Sequence, residues 1–373
     1  MKGPLPESDS GNGPFTDFET GSTAGPVLPS RPAEAPCLGC PALAFPVRRA
    51  INCRERQRTV VVVDMRLRRI GPALLAAALL AAGCRGSNPS PGESPASPAS
   101  PPAGQAQVLA VKIDNVAAAR PATGLGSADV VYVAPVEGGL TRIIAVFSAK
   151  IPDVVGPVRS ARETDIAVLA QYGRLAFAYS GAAPQILPAL RGASLVNAAQ
   201  SDVPGAYFRQ PGHPAPHNLY VRTASLPAGR GPAPPAVLAF GPAPAGGEPS
   251  TGTTIGYSSA SYALSWSSGS WLISMDGTPF LSTEAGQLRA ATVIEQKVGI
   301  TYEPFAEDAT GARAPVAHTV GAGSAVVFRD GRSYPATWSR PALAAPTAFA
   351  TSTGQALPLA SGPVWVFLVP AGG

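Results

Sequence analysis

The chain has 373 residues, with 28 Lys and Arg against 23 Asp and Glu, and its four cysteines all fall at or before Cys84. From Cys84 onward there are 18 basic and 16 acidic residues, a net charge of +2, whereas a nucleic-acid surface needs a dense basic patch. Disulfides and thiol catalysis are excluded from everything beyond that cysteine.

Residues 1–64 are rich in Pro, Gly and Arg and show no sustained period apart from Val60–Val63. Cys37, Cys40 and Cys53 offer three ligands with no histidine nearby, where structural zinc usually takes four. Met65 then opens a basic start (Arg66, Arg68, Arg69), followed by an apolar run from Ile70 to Ala82 and Leu80-Ala81-Ala82-Gly83-Cys84. This is the layout of a secretory signal, and its end resembles a lipobox, in which the cysteine thiol is diacylated and becomes the new N-terminus. The run is too short for a mature membrane span, which needs about 20 residues, whereas two acyl chains anchor stably. The expectation is that residues 65–84 are the signal, that Cys84 is lipidated, and that 1–64 reflect a misplaced start or a disordered extension.

Residues 85–107, with SPASPASPP at their centre, cannot pack a core and read as a tether of up to roughly 70 Å when extended. Beyond them an α+β fold is expected: a mixed α/β unit over 108–226 packed with a β-rich unit over 255–373. Strands are predicted at Val108–Ile113, Ala128–Pro135, Leu140–Phe147 and Leu175–Tyr179, with Gly138-Gly139 turning a hairpin. Ser160 and Glu163 fit a capping box for a helix to about Tyr172, and Pro184 opens a short helix ending near Leu190. After a Pro/Gly-rich break at Pro227–Thr254 come strands at Tyr262–Trp266, Trp271–Met275, Ala290–Val298, Ser324–Phe328, Ser333–Trp338 and Val364–Val369. Asp276-Gly277 and Asp330-Gly331 signal tight hairpins.

Three segments carry more polar chemistry than strands and turns require: Pro135–Arg142 with Glu137, Gly156–Asp165 with Arg159 and Arg162, and Ala215–Tyr220 with His217 and Asn218. Together with Gly321-Ala-Gly-Ser-Ala-Val-Val-Phe-Arg-Asp-Gly-Arg, Thr337-Trp338 and Val364-Trp365, they resemble the YerB-like bacterial lipoproteins over about Val108 to Pro370. That resemblance implies a lipid anchor, a polar tether and a two-part extracytoplasmic domain of unknown function. One departure is a short loop after Asp202 that leads to His213 and His217.

Arg159 and Arg162 could grip a carboxylate or phosphate bidentately, or lock onto Glu137, Glu163 or Asp165. Glu137 could serve as an acid or base, or pair with Arg142. His217 could shuttle a proton while Asn218 clamps, or it could fix its loop. A serine triad lacks a G-x-S-x-G elbow, and Gly321–Ala325 precedes a strand, so it reads as a bulge or turn, not a phosphate loop. No metal or other cofactor is expected. The reading is a membrane-anchored extracytoplasmic lipoprotein that binds an anionic cell-wall fragment or envelope protein through Arg142, Arg159, Arg162 and Asn218. The alternative is an envelope glycan or peptide hydrolase or transferase with Glu137 and His217 as catalytic residues.

Overall fold

A computed structural model describes residues 105–307 and 311–372. The early cysteines, the signal with Cys84 and the tether up to residue 104 lie outside the described residues. In the N-terminal half, β1 is Leu109–Ile113, β2 Val130–Pro135 and β3 Thr141–Phe147. Helix α1 follows at Glu163–Leu169, then β4 at Ala176–Tyr179, α2 at Leu187–Gly192 and β5 at Val196–Ala199. In the C-terminal half, β6 (Gly252–Tyr257), β7 (Ala260–Ser267) and β8 (Ser270–Met275) form a separate antiparallel meander. The long strands β9 (Thr292–Tyr302), β10 (Gly321–Arg329), β11 (Arg332–Arg340) and β12 (Val364–Pro370) follow, with shorter strands between them.

One twelve-stranded sheet runs through both halves. Its joint is β12, parallel to β2 on one side (Trp365 opposite Val131) and to β9 on the other (Val293 opposite Trp365). The expected α+β character holds, with strand dominant, but the halves share a sheet where two packed units were expected. The reason is in β12 itself, Val-Trp-Val-Phe-Leu-Val, whose apolar side chains suit a strand covered on both faces. Val364, Val366 and Leu368 join one core layer with Val168, Leu169, Tyr172 and Leu190 from the helical side. Trp365, Phe367 and Val369 join the other with Ile255, Tyr262, Leu264 and Trp271 from the meander.

Most predicted elements are present, and the differences have local causes. Asp276 and Gly277, and likewise Asp330 and Gly331, adopt positive φ, as tight hairpin turns demand. The expected Ser160–Glu163 capping box does not form. Ala161 N–H instead donates to Gly181 O at 2.8 Å and Ser180 N–H to Arg159 O at 3.0 Å, holding 159–161 extended beside the end of β4. The helix therefore starts two residues later, where the Asp165 carboxylate accepts the Arg162 N–H at 2.9 Å. Gly321–Ala325 is neither bulge nor turn but lies within β10; at Gly323 a Cβ would sit 2.6 Å from Trp338 Nε1, so glycine lets β11 pack close. The Pro/Gly-rich break also contributes to the core, through Val237 and Leu238 at a short helix, Pro234–Val237.

Candidate functional site

The polar residues gather where β1 ends and α1 begins. Strand β1 is buried on both faces, yet it carries Lys112 and is followed by Asp114 and Asn115. A segment from Pro157 to Arg159 runs antiparallel beside this end, with Asp114 N–H donating to Pro157 O at 2.8 Å and Arg159 N–H to Lys112 O at 2.9 Å. The same segment reaches the end of β4, so it spans the C-terminal ends of two parallel strands. In open α/β sheets that is where ligands bind.

Three ion-pair groups form there. Deepest is Lys112 Nζ with Asp165 Oδ1 at 2.6 Å, both side chains fully buried. Burial pulls the Lys112 ammonium down from its ordinary range, and the Asp165 charge opposes that.

The second group centres on Glu137, carried by the turn Glu137–Gly139 between β2 and β3, where Gly138 and Gly139 both hold a φ of 70°. Its carboxylate receives Arg162 Nε at 3.0 Å and Nη2 at 2.5 Å, a bidentate grip, and Arg142 Nη2 at 2.9 Å. Burial alone would raise this carboxyl. The Arg162 hydrogen bonds and the two guanidinium charges overcome that and hold it at about 2. Such a group stays ionised and is a poor proton donor or acceptor near neutrality. The ion-pair alternative therefore describes Glu137 better than a catalytic role does.

Arg162 also approaches Glu307, Nη1 to Oε2 at 3.4 Å, and beside Glu307 lies Glu303, 1% exposed. Burial and the neighbouring Glu307 carboxyl push Glu303 up to about 8, against the pull of Arg162. An acid raised on folding contributes its stability below its unfolded value, and that contribution is lost as pH rises through the folded one. Stability should therefore fall between pH about 4.5 and about 8 by a component that Glu303→Gln removes. Urea midpoints of the two proteins across that range test this; parallel curves would contradict it.

The third group is nearest the surface. Asp114, 2% exposed, receives His217 Nδ1 at 2.7 Å on Oδ2, with Arg159 Nε 3.1 Å from the same oxygen. The His217 and Arg159 side chains are each 22% exposed. No partner among the described residues meets His217 Nε2 or the two Arg159 Nη groups. Arg142 links the second and third groups electrostatically, feeling Arg162, Glu137, Arg159 and Asp114.

The structure thus brings together Glu137, Arg142, Arg159, Arg162 and His217, and Glu137 is the acid that balances Arg162. Asn218 is not in the cluster. Its amide oxygen accepts Arg209 Nη1 at 2.5 Å, and this pair closes the Tyr207–Arg209 and Leu219–Arg222 hairpin. A groove of about 520 Å³ touches Glu137, Gly138 and Gly139 and is walled by Tyr257, Tyr302 and Arg313, but neither His217 nor the arginines 142, 159 and 162 line it. Among the described residues no group of three or more His, Cys, Asp or Glu is arranged for a metal. Sequence reasoning missed Lys112, Asp114, Glu303 and Glu307. Lys112 was findable, as a charge inside the apolar run Val108–Ile113. Glu303 and Glu307 carried no signal.

An α+β domain with an internal ion-pair cluster is the class these features define. The chain belongs to a family described as a protein of unknown function (DUF3048), matching its N-terminal domain over residues 95–232 and its C-terminal domain over 253–366. This is the YerB-like family expected from the motifs. The putative lipoprotein YerB of Bacillus subtilis (strain 168) is 35% identical over 114 residues, which are 30% of this chain and 34% of that protein. The match thus spans about a third of that relative's length. A crystal structure of the YerB protein from Bacillus subtilis shares the fold, with a TM-score of 0.60 at 22% identity over 72% of this chain and 92% of that one.

Proposed function

We propose that the protein is a membrane-anchored extracytoplasmic lipoprotein whose domain binds an anionic envelope ligand, a cell-wall fragment or the acidic surface of a partner protein, at Arg159 and His217. One observation carries the binding site. Asp114 holds the Arg159 guanidinium and the His217 ring from the inside, on one carboxylate oxygen, which leaves the Arg159 Nη groups and His217 Nε2 without a partner among the described residues, as a preorganised pair. Arg142 and Arg162 take a supporting role, since Glu137 already occupies them. The anchor rests on the Met65–Cys84 signal pattern and on the description of the Bacillus subtilis relative as a putative lipoprotein.

The two parts are tested separately. Cys84→Ser should move the protein from the membrane fraction to the soluble extracytoplasmic fraction or the medium, and full retention in membranes would contradict the anchor. Arg159→Ala should weaken binding of solubilised wall fragments by about 1.5–3 kcal/mol, the worth of a hydrogen bond to a charged group, measured by calorimetric titration. Unchanged affinity would contradict the site.

A further inference from the structure

We infer a second anionic site at the opposite end of the sheet, one that takes the phosphate headgroup of an anionic phospholipid and docks the domain on the membrane that anchors it. It rests on the anchor reading above. The site is a pocket of about 500 Å³ lined by Arg174, Arg230, Gly231, Pro232 and Gln105, among others.

Arg174 and Arg230 are direct partners across an antiparallel bridge, Arg230 N–H donating to Arg174 O at 2.9 Å. Residues directly opposite place their Cβ atoms about 4.5–5.5 Å apart, and like charges there are destabilising. Both side chains are exposed, and no carboxylate among the described residues forms a salt bridge with either. Asp129, on a neighbouring loop, is occupied by the N–H groups of Ser148 and Ala149. This contrasts with the other end of the sheet, where Lys112, Arg142 and Arg162 each have an acid.

The backbone beneath the two arginines has little freedom to separate them. A Cβ on Gly231 would lie 2.0 Å from Tyr172 O, and one on Gly229 would lie 1.7 Å from Ala176 N. The segment therefore rests directly on Tyr172–Ala176, and an external anion is what would relieve the repulsion.

The choice of a lipid follows from where the tether arrives. Gln105, the first described residue, lines the pocket, and Ala106–Gln107 pairs with Arg230–Gly231, Gln107 opposite Arg230. Cys84 lies 21 residues before Gln105 in the sequence, so a lipid on Cys84 would join the domain at this end. Anionic lipids attract basic side chains near the surface, and salt screens the effect.

The test uses the acylated protein purified from membranes and reconstituted into vesicles. Beyond Cys84 the chain has no cysteine, so Ala228→Cys, an exposed position lining the pocket, gives a single fluorophore site. Nitroxide-headgroup lipid should quench this probe strongly in vesicles of phosphatidylglycerol with phosphatidylcholine, and weakly in phosphatidylcholine alone. The docked fraction should fall by roughly fivefold for each of Arg174→Gln and Arg230→Gln, and also in 1 M salt. Melting temperatures unchanged or raised in these variants would exclude unfolding as the cause. Acylated protein quenched equally in both lipids, or equally with and without the arginines, would overturn the docking site and leave the anchor standing. Loss of docking on adding millimolar inorganic phosphate would also overturn it, in favour of a soluble-anion site. A Cys84 without lipid would overturn the anchor, and the docking inference with it.

Discussion

Asp165→Asn is expected to destabilise the protein by about 3–5 kcal/mol, the cost of leaving one member of a buried ion pair without its partner. Asp165 neutralises Lys112 at 2.6 Å in a region with no solvent exposure, and its second oxygen accepts the Arg162 N–H that begins α1. The variant removes the charge that balances the buried ammonium and leaves one acceptor oxygen where two served Lys112 and the Arg162 N–H, so one of the two loses its partner. Lys112→Met combined with Asp165→Leu should recover most of the loss, because apolar groups of similar volume often replace a buried pair at little cost. Urea denaturation of the three proteins decides it. A single variant within 1 kcal/mol of wild type would show that the pair is not buried as described.

Glu137→Gln is expected to cost a similar amount, about 3–5 kcal/mol, and to change the acid limb of the stability curve. Without the carboxylate, Arg142 and Arg162 face each other with like charge. The sign with pH follows from the lowered carboxyl. A group held at about 2 when folded, against an ordinary 4.5, contributes stability above pH 4.5, and that contribution is lost as pH falls toward about 2. The wild type should therefore lose stability over that interval by a component that Glu137→Gln lacks. Denaturation midpoints from pH 2 to 7 measure both effects; identical acid limbs would contradict the ion-pair description.

Much of this fold was legible because its strands are apolar on both faces and its turns are spelled by Asp-Gly pairs. The apolar runs Val130–Ala134, Ile143–Phe147 and Val364–Val369 announce strands wherever they pair. What they do not announce is partner order, since the position of β12 between β2 and β9 depends on pairings 234 and 72 residues apart in sequence, Val364 with Val130 and with Thr292. The helix start was misplaced because Ser160 is a good cap locally, while backbone hydrogen bonds to residues 180 and 181 keep it extended.

The candidate site was half legible. Charged residues beside Gly and Pro pointed to Glu137, Arg159, Arg162 and His217. Their roles depend on acids from elsewhere, since Asp114 unites Arg159 with His217, and Glu137 draws in both Arg142 and Arg162. Asn218, adjacent to His217, faced a different partner because it closes the turn before Leu219, where Arg209 lies across the hairpin.

The account's central claim is that Arg159 and His217 form a ready-made anion site held by Asp114. The most direct measurement is side-chain nitrogen NMR of these two residues during titration with solubilised wall fragments, with inorganic phosphate as a reference anion. The chain contains three histidines, so His217→Gln assigns the ring signals. The account predicts saturable shifts of the His217 ring and Arg159 guanidinium signals at one shared midpoint, abolished by Asp114→Asn. Binding of the fragments without any shift at these two side chains would contradict it.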